Sequence, residues 1–336
     1  LISQVERLAT LNAAGTAGRD AWQRAVDGVI KAIKLGLEAS KEDDSDVLVT
    51  PDLVRELYLY VAAWQREHLE DLVGAEKSLT AALEHEPHCV PALMQLEELQ
   101  RESGREAALV STLRRLAEYA DQGEVARDSA ELRREAKVLA ETVLEDPAMV
   151  DAILREMLEA NDGDEWALSE LTRVCEDQGT KEEVYALLMR QLETVVDPEQ
   201  QSELRHRAAA VAADDLGDHV GALELYEQAL DDDPEDQVAA DALRKLYPKL
   251  GRYEDMLRFI ERLVDQSSDS EVRVPLFIES AQICIEKLEA PSEAIEHLNA
   301  ALLEDPGHAD AVVGLLRLLE SEGRDDERAD VLMQKI

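Results

Sequence analysis

Four glycines, Gly104, Gly179, Gly251 and Gly323, follow one another at intervals of 75, 72 and 72 residues. Seventeen residues before three of them stands a proline (Pro87, Pro234 and Pro306), and the remaining copy has Asp162 in that place. Twelve residues before each proline stands an alanine: Ala75, Ala222 and Ala294. A globular chain with one core has no reason to hold such a register. An array of repeats does, because each unit must offer the same face to its neighbour. The constraint points to an all-α solenoid of stacked antiparallel helix hairpins. Such an array grows by stacking, so the 336 residues do not by themselves set a domain count.

The clearest copy contains LGDHVGALELYEQALDDDP, from Leu216 to Pro234. Ala222, Leu225, Tyr226, Ala229 and Leu230 recur there at steps of three and four, one stripe of a helix. Gly217 is expected to stop the preceding helix, since glycine accepts the left-handed conformation of a helix end. Asp233-Pro234 is expected to start the next helix, Asp as cap and Pro at the first helical position, where no N–H is needed. From Gly217 to Gly251 is 34 residues, one helix–turn–helix unit. Two unlike hairpins alternate, so the larger unit has four helices. The expected division is a leftover N-terminal hairpin and charged loop at 1–48, then modules at 49–122, 123–196, 197–268 and 269–336. The whole chain should hold about eighteen helices, with Lys41–Asp46 as a loose connection. No strand-like alternation occurs anywhere.

These residues resemble the tetratricopeptide repeat. Gly217, Ala222, Tyr226, Ala229 and Pro234 occupy the family's turn glycine, small, aromatic, small and proline places. Ala294, Leu298, Ala301 and Pro306 repeat the series, as do Ala75, Leu79, Ala82 and Pro87. The stretch from Val150 to Asp162 and the hairpins ending in the four register glycines are degenerate; that pairing is similar to large bacterial repeat proteins. The resemblance covers nearly everything from about residue 50 on. It implies a right-handed superhelix whose groove is lined by the first helix of each hairpin, and a protein or peptide as ligand. Carried over place by place, it marks Leu57, Tyr60 and Trp64, then Arg101, then Trp166 and Arg173, then Lys245, then Arg317. Tyr60 and Trp64 lie four apart on one helical face and are of the types that anchor interfaces. The same pair equally fits a core, where this helix packs on the N-terminal hairpin, and Trp166 has the same two readings. Arg173, Lys245 and Arg317 recur with the 72-residue period; they either pair with nearby acids or form a ladder for an acidic peptide. The family's carboxylate clamp needs asparagines in the groove, and Asn12, Asn161 and Asn299 fall at none of these places.

Charge excludes some partners. With 35 Lys+Arg against 75 Asp+Glu the net charge is -40, so nucleic acid is not expected: phosphate binding needs clustered cations. An anionic membrane is disfavoured by the same repulsion, and no apolar run approaches the ~18 residues of a spanning helix. Cys89, Cys175 and Cys284 have no paired spacing, which fits a reducing, weakly a cytoplasmic, setting without naming a compartment. No glycine loop for phosphate is present, nor G-x-S-x-G. His85, His88 and Cys89 form the lone cluster of soft ligands and read as an interhelical loop. Asp231–Asp236 lacks the spacing of a calcium loop and reads as helix-terminal acids. No cofactor or metal is expected. Leu1, Ile2, Val5 and Leu8 at one end, and Val331, Leu332 and Ile336 at the other, are expected to face missing neighbours, leaving ends that fray or self-associate. The diffuse acidity, with ten lysines to twenty-five arginines, fits a high-salt adaptation as well as a basic partner. The sequence thus reads as a noncatalytic interaction scaffold. A regulatory segment of a larger enzyme and an enzyme built on the solenoid are the alternatives.

Overall fold

A computed structural model describes residues 2–11, 16–42 and 50–333. Among the described residues there are eighteen α-helices and no strand. An N-terminal pair, α1 (Ile2–Leu11) and α2 (Thr16–Glu42), precedes the regular array. The array begins with α3 (Pro51–Glu67), α4 (Leu72–His85), α5 (Val90–Ser103) and α6 (Glu106–Asp121). It goes on with α7 (Ser129–Thr142), α8 (Pro147–Ala160), α9 (Glu165–Gln178) and α10 (Lys181–Thr194). Then come α11 (Pro198–Ala210), which runs into a π-helical turn at Val211–Asp215, α12 (His219–Asp232), α13 (Gln237–Leu250) and α14 (Tyr253–Gln266). The last four are α15 (Ser270–Glu286), α16 (Pro291–Glu304), α17 (Ala309–Ser321) and α18 (Asp325–Met333). The chain forms two compact units, Leu1–Asp177 and Gln178–Ile336. The sequence-derived limits at 122/123, 196/197 and 268/269 fall between helices; the compact units divide elsewhere, at the end of α9.

The register glycines do what the sequence implies: Gly104, Gly179, Gly251 and Gly323 all have φ between 64° and 75°. The prolines do something different. Pro234 does not start α13, and Asp233 is not its cap. The Asp233 carbonyl accepts the Asp236 N–H at 3.1 Å, closing a four-residue turn with Pro234 second in it. Asp236 is the cap, its carboxylate accepting the N–H groups of Val238 and Ala239 at 3.0 Å. The same turn closes at Cys89→Glu86, Asp164→Asn161 and His308→Asp305, each at 3.2 Å. Proline is favoured there because its ring presets the φ that the second turn position needs. Asp162 takes that place without the ring.

A second register was not legible in the sequence. Glu70, Glu145 and Glu289 have φ of 52°, 50° and 52°. They lie 75 and 144 residues apart, and Gly217 (φ 68°) sits midway in the longer interval. One tight turn therefore recurs between first and second helices, and three of four copies place a glutamate where glycine is easier.

Small residues let the helices approach. Ala75, Ala82, Ala222, Ala229, Ala294 and Ala301 are all buried. At the N-terminus, Ala9, Trp22, Val26, Val61, Trp64 and Leu69 form one cluster, with Ile2 and Val5 packed against it. Ile2 and Val5 therefore do not face a missing neighbour. Leu332 is exposed at the other end, as expected, while Val331 is half-buried. α2 extends through Lys41 to Glu42, so that part of the expected loose connection is helical. Residues 43–46, Leu1, Ile336 and the side chain of Leu8 lie outside the described residues.

Candidate functional site

In unit one the first helices of successive hairpins, α3, α5, α7 and α9, are tied by ion pairs. Arg66 on α3 reaches Glu98 at 2.9 Å and Glu102 at 2.5 Å on α5. Arg101 on α5 grips both oxygens of Glu135 on α7 and also Glu97 at 2.8 Å. Lys137 on α7 bonds Glu141 at 2.7 Å and Glu170 of α9 at 2.6 Å, and Arg173 on α9 returns to Glu141 at 2.6 Å. Arg127, in the loop between α6 and α7, closes on Glu97 at 2.6 Å. Burial pushes Glu97 upward, but the Arg127 and Arg101 hydrogen bonds outweigh it and hold its carboxyl below the ordinary value. Glu141 is lowered by Lys137 and Arg173, and for Glu170 the same two cations outweigh burial.

The expected site residues divide accordingly. Leu57 is half-buried and Tyr60 is 41% exposed on the same helix. Trp64 is not available to a ligand: it is 3% exposed, its ring lies 5.6 Å from Trp22, and its Nε1 donates to Glu6 at 3.2 Å. Trp22 in turn stacks on His68 at 3.9 Å. This is the core alternative, and its reason is that Ala9 of α1 and Trp22 and Val26 of α2 pack on Val61 and Trp64 of α3. Trp166 is half-buried beneath Arg134 and Lys137, whose charges lie 5.0 and 5.7 Å from its ring. Arg101 and Arg173 are rungs already engaged with acids. Lys245 and Arg317 are exposed and form no ion pair among the described residues. Within unit one, Tyr60 is thus left open, Trp64 is buried, and Arg101 and Arg173 are engaged with acids.

The dismissed clusters have structural roles. His88 meets the Tyr119 hydroxyl at 3.1 Å and His85 stacks on Tyr58. Among the described residues no group of three or more His, Cys, Asp or Glu could hold a metal ion. In the acidic run, Asp231 receives Arg262 at 2.5 Å, Asp232 receives Arg205, and Asp236 meets His206 at 2.6 Å. All three cysteines are buried, with burial pushing the Cys284 thiol up to about 11. Among the described residues no helix is long and apolar enough to cross a membrane.

Two surface features bear on ligand binding, and only the second was missed by residue-level reasoning. Large apolar side chains stand exposed on both kinds of helix: Tyr60, Met94, Val138, Val238, Val272 and Val313 on first helices, and Val73, Val220 and Leu303 on second helices. Unit two also has a cleft of about 880 Å³ between α13 and α15, closed at one end by the C-terminus of α14. Its floor includes Ala240, Leu263, Val272, Pro275 and Leu276, and its rim carries Glu235, Asp241, Glu271 and Glu279 against a single cation, Arg244. The rungs had no unambiguous sequence signal, since each base has many acids within reach of its spacing; the cleft had none beyond a short α14–α15 loop.

No family model and no curated protein matches the chain. Solved structures do. The tetratricopeptide domain of P58(IPK) is 17% identical with a TM-score of 0.32, covering 99% of this chain and 90% of that one. YrrB, described as a tetratricopeptide protein with an unusual peptide-binding site, is 17% identical at 0.28, covering 62% and 97%. PilF of Pseudomonas aeruginosa is 16% identical at 0.28, covering 81% and 99%. The fold assignment stands on this chain's own turns, helices and 34-residue hairpins.

Proposed function

We propose that this tetratricopeptide-like array is a noncatalytic scaffold that binds a protein or peptide on the face of its first helices. The observation that carries the reading is the placement of exposed apolar side chains there. Tyr60, Met94, Val238 and Val313 stand in water on the helices whose remaining surface is ionic. Apolar groups set among charged ones make the usual texture of a protein interface. Second helices are bonded into the stack by buried alanines, which leaves them less side-chain surface for recognition. The carboxyls with lowered values, Glu97, Asp121, Glu141 and Glu170, are ion-pair partners within the stack, a structural use.

The test is peptide selection on the intact chain from a random display library, followed by two variants, Tyr60→Ala/Met94→Glu and Val238→Glu/Val313→Glu. At least one should weaken the selected peptides tenfold or more with unchanged circular dichroism. Selected peptides that bind both variants as tightly as the parent would place recognition off this face.

A further inference from the structure

The ion-pair ladder is continuous in unit one and slack between α13 and α15 of unit two. Rungs between α3 and α5 and between α7 and α9 measure 2.5–2.9 Å. Between α13 and α15 the bridge is Arg244–Glu279 at 3.7 Å. The loops explain why. Between α6 and α7 the connection spans 122–128 and carries Arg127 onto Glu97 of α5. Between α14 and α15 the equivalent connection is Ser267, Ser268 and Asp269, too short to fold inward and without a cation. That connection supplies no side chain like Arg127 to fill the gap. What remains is a cleft of about 880 Å³ with an apolar floor and four carboxylates facing one guanidinium.

Val272 stands exposed on the floor beside Pro275 and the buried Leu276. Pro275 lies inside α15, where it gives the helix no N–H for the carbonyl of Glu271. A phosphate-bearing ligand would meet net negative charge. A metal ion finds no converging set of ligands among the described residues. The complementary occupant is cationic and amphipathic.

We propose that the cleft between α13 and α15 binds a short basic segment of a partner protein. One apolar side chain of that segment rests on Val272 and Pro275, and Lys or Arg side chains reach Glu235, Asp241, Glu271 and Glu279. This rests on the scaffold reading and names the partner chemistry at one place. The volume suits several side chains, within the ~300–1,000 Å³ of ordinary ligand pockets. Arg244 is held loosely enough to swing aside when a second cation claims Glu279.

The experiment uses the full chain and three synthetic twelve-residue peptides: one of alternating Leu and Lys, and analogues with Gln or Glu in place of Lys. Binding is read by fluorescence anisotropy at low and moderate salt. The basic peptide should bind, and weaken as salt screens the contact. Glu271→Lys/Glu279→Lys should cut its affinity at least tenfold. Val272→Arg should do the same without removing a carboxylate. A protein of charge -40 attracts cations everywhere, so the charge-matched pair Glu84→Lys/Glu182→Lys, exposed on second helices, is the control. Equal losses in the control and cleft pairs would overturn the proposal. So would binding that ignores both cleft changes yet is lost in Tyr60→Ala/Met94→Glu, an outcome that keeps the scaffold reading. If none of the three peptides binds and display selection also yields none, both readings fall.

Discussion

At the scale of single residues the backbone holds more register than the side chains do. Glu70, Glu145 and Glu289 occupy the left-handed region that Gly217 occupies in the equivalent turn. The left-handed conformation costs an ordinary residue about 1–2 kcal/mol. Glycine returns about 0.4–1 kcal/mol of that through the greater freedom of its unfolded chain. The difference decides the sign: Glu145→Gly should stabilise by about 0.5–1 kcal/mol, and Gly217→Glu should destabilise by a similar amount. Urea unfolding of each variant checks this, and a destabilised Glu145→Gly would contradict it. The turn was invisible in the sequence because glutamate is no marker of positive φ. Trp64 shows the opposite limit. Its spacing from Tyr60 correctly placed both on one helix, but helical spacing cannot say which of two neighbours α1 and α2 will cover. Trp64→Ala should therefore cost about 3–5 kcal/mol, the range for truncating a buried aromatic. Hydrogen exchange should rise first in α1 and α2. Unchanged stability together with weakened ligand binding would restore the anchor reading.

At the scale of elements, two devices hold the helices in sequence. Pro87, Pro234 and Pro306 set four-residue turns, and ion pairs tie every second helix in unit one. The turn positions were legible because proline and glycine are local signals. The rungs were not, because any acid in so acidic a chain has many candidate partners. Glu97 is the most consequential, with its side chain 9% exposed and two arginines upon it. Its carboxyl is held below the ordinary 4.5. A group lowered on folding stabilises fully above its unfolded value, and that stability is lost as pH falls through the folded value. Glu97→Gln should cost about 2 kcal/mol at pH 7, in the range of hydrogen bonds to charged groups. The gap between variant and parent should close below about pH 4.5, because a protonated glutamate then resembles glutamine. Melting curves of both proteins across pH 3–7 test it. A gap that stays constant would show that Glu97 acts by packing and not by charge.

At the scale of the whole molecule, charge cannot be balanced by pairing. There are 75 acids and 35 bases, so even if every base took one acid, 40 acids would remain without a cation. Ion pairs such as Arg66–Glu98 and Arg173–Glu141 stabilise locally, but each exposed pair is worth only ~0–1 kcal/mol. Repulsion among the surplus carboxylates acts over the whole surface and favours expanded states. Salt weakens both, and the surplus decides which loss matters more. The Debye length falls from ~10 Å at 0.1 M to ~3 Å at 1 M. At the longer distance many neighbouring carboxylates feel one another; at the shorter one few do, while the pairs at contact are screened less. The thermal midpoint should therefore climb steadily between 0.1 and 1 M potassium chloride, by ~5 °C or more, a shift that corresponds to one or two kcal/mol in a unit of this size. The climb should be seen in both units, since neither holds the excess alone. A midpoint that falls with salt would mean that the ladder outweighs the repulsion. A flat midpoint, with basic-peptide binding that still weakens in salt, would assign the acidity to the partner and not to solvent conditions.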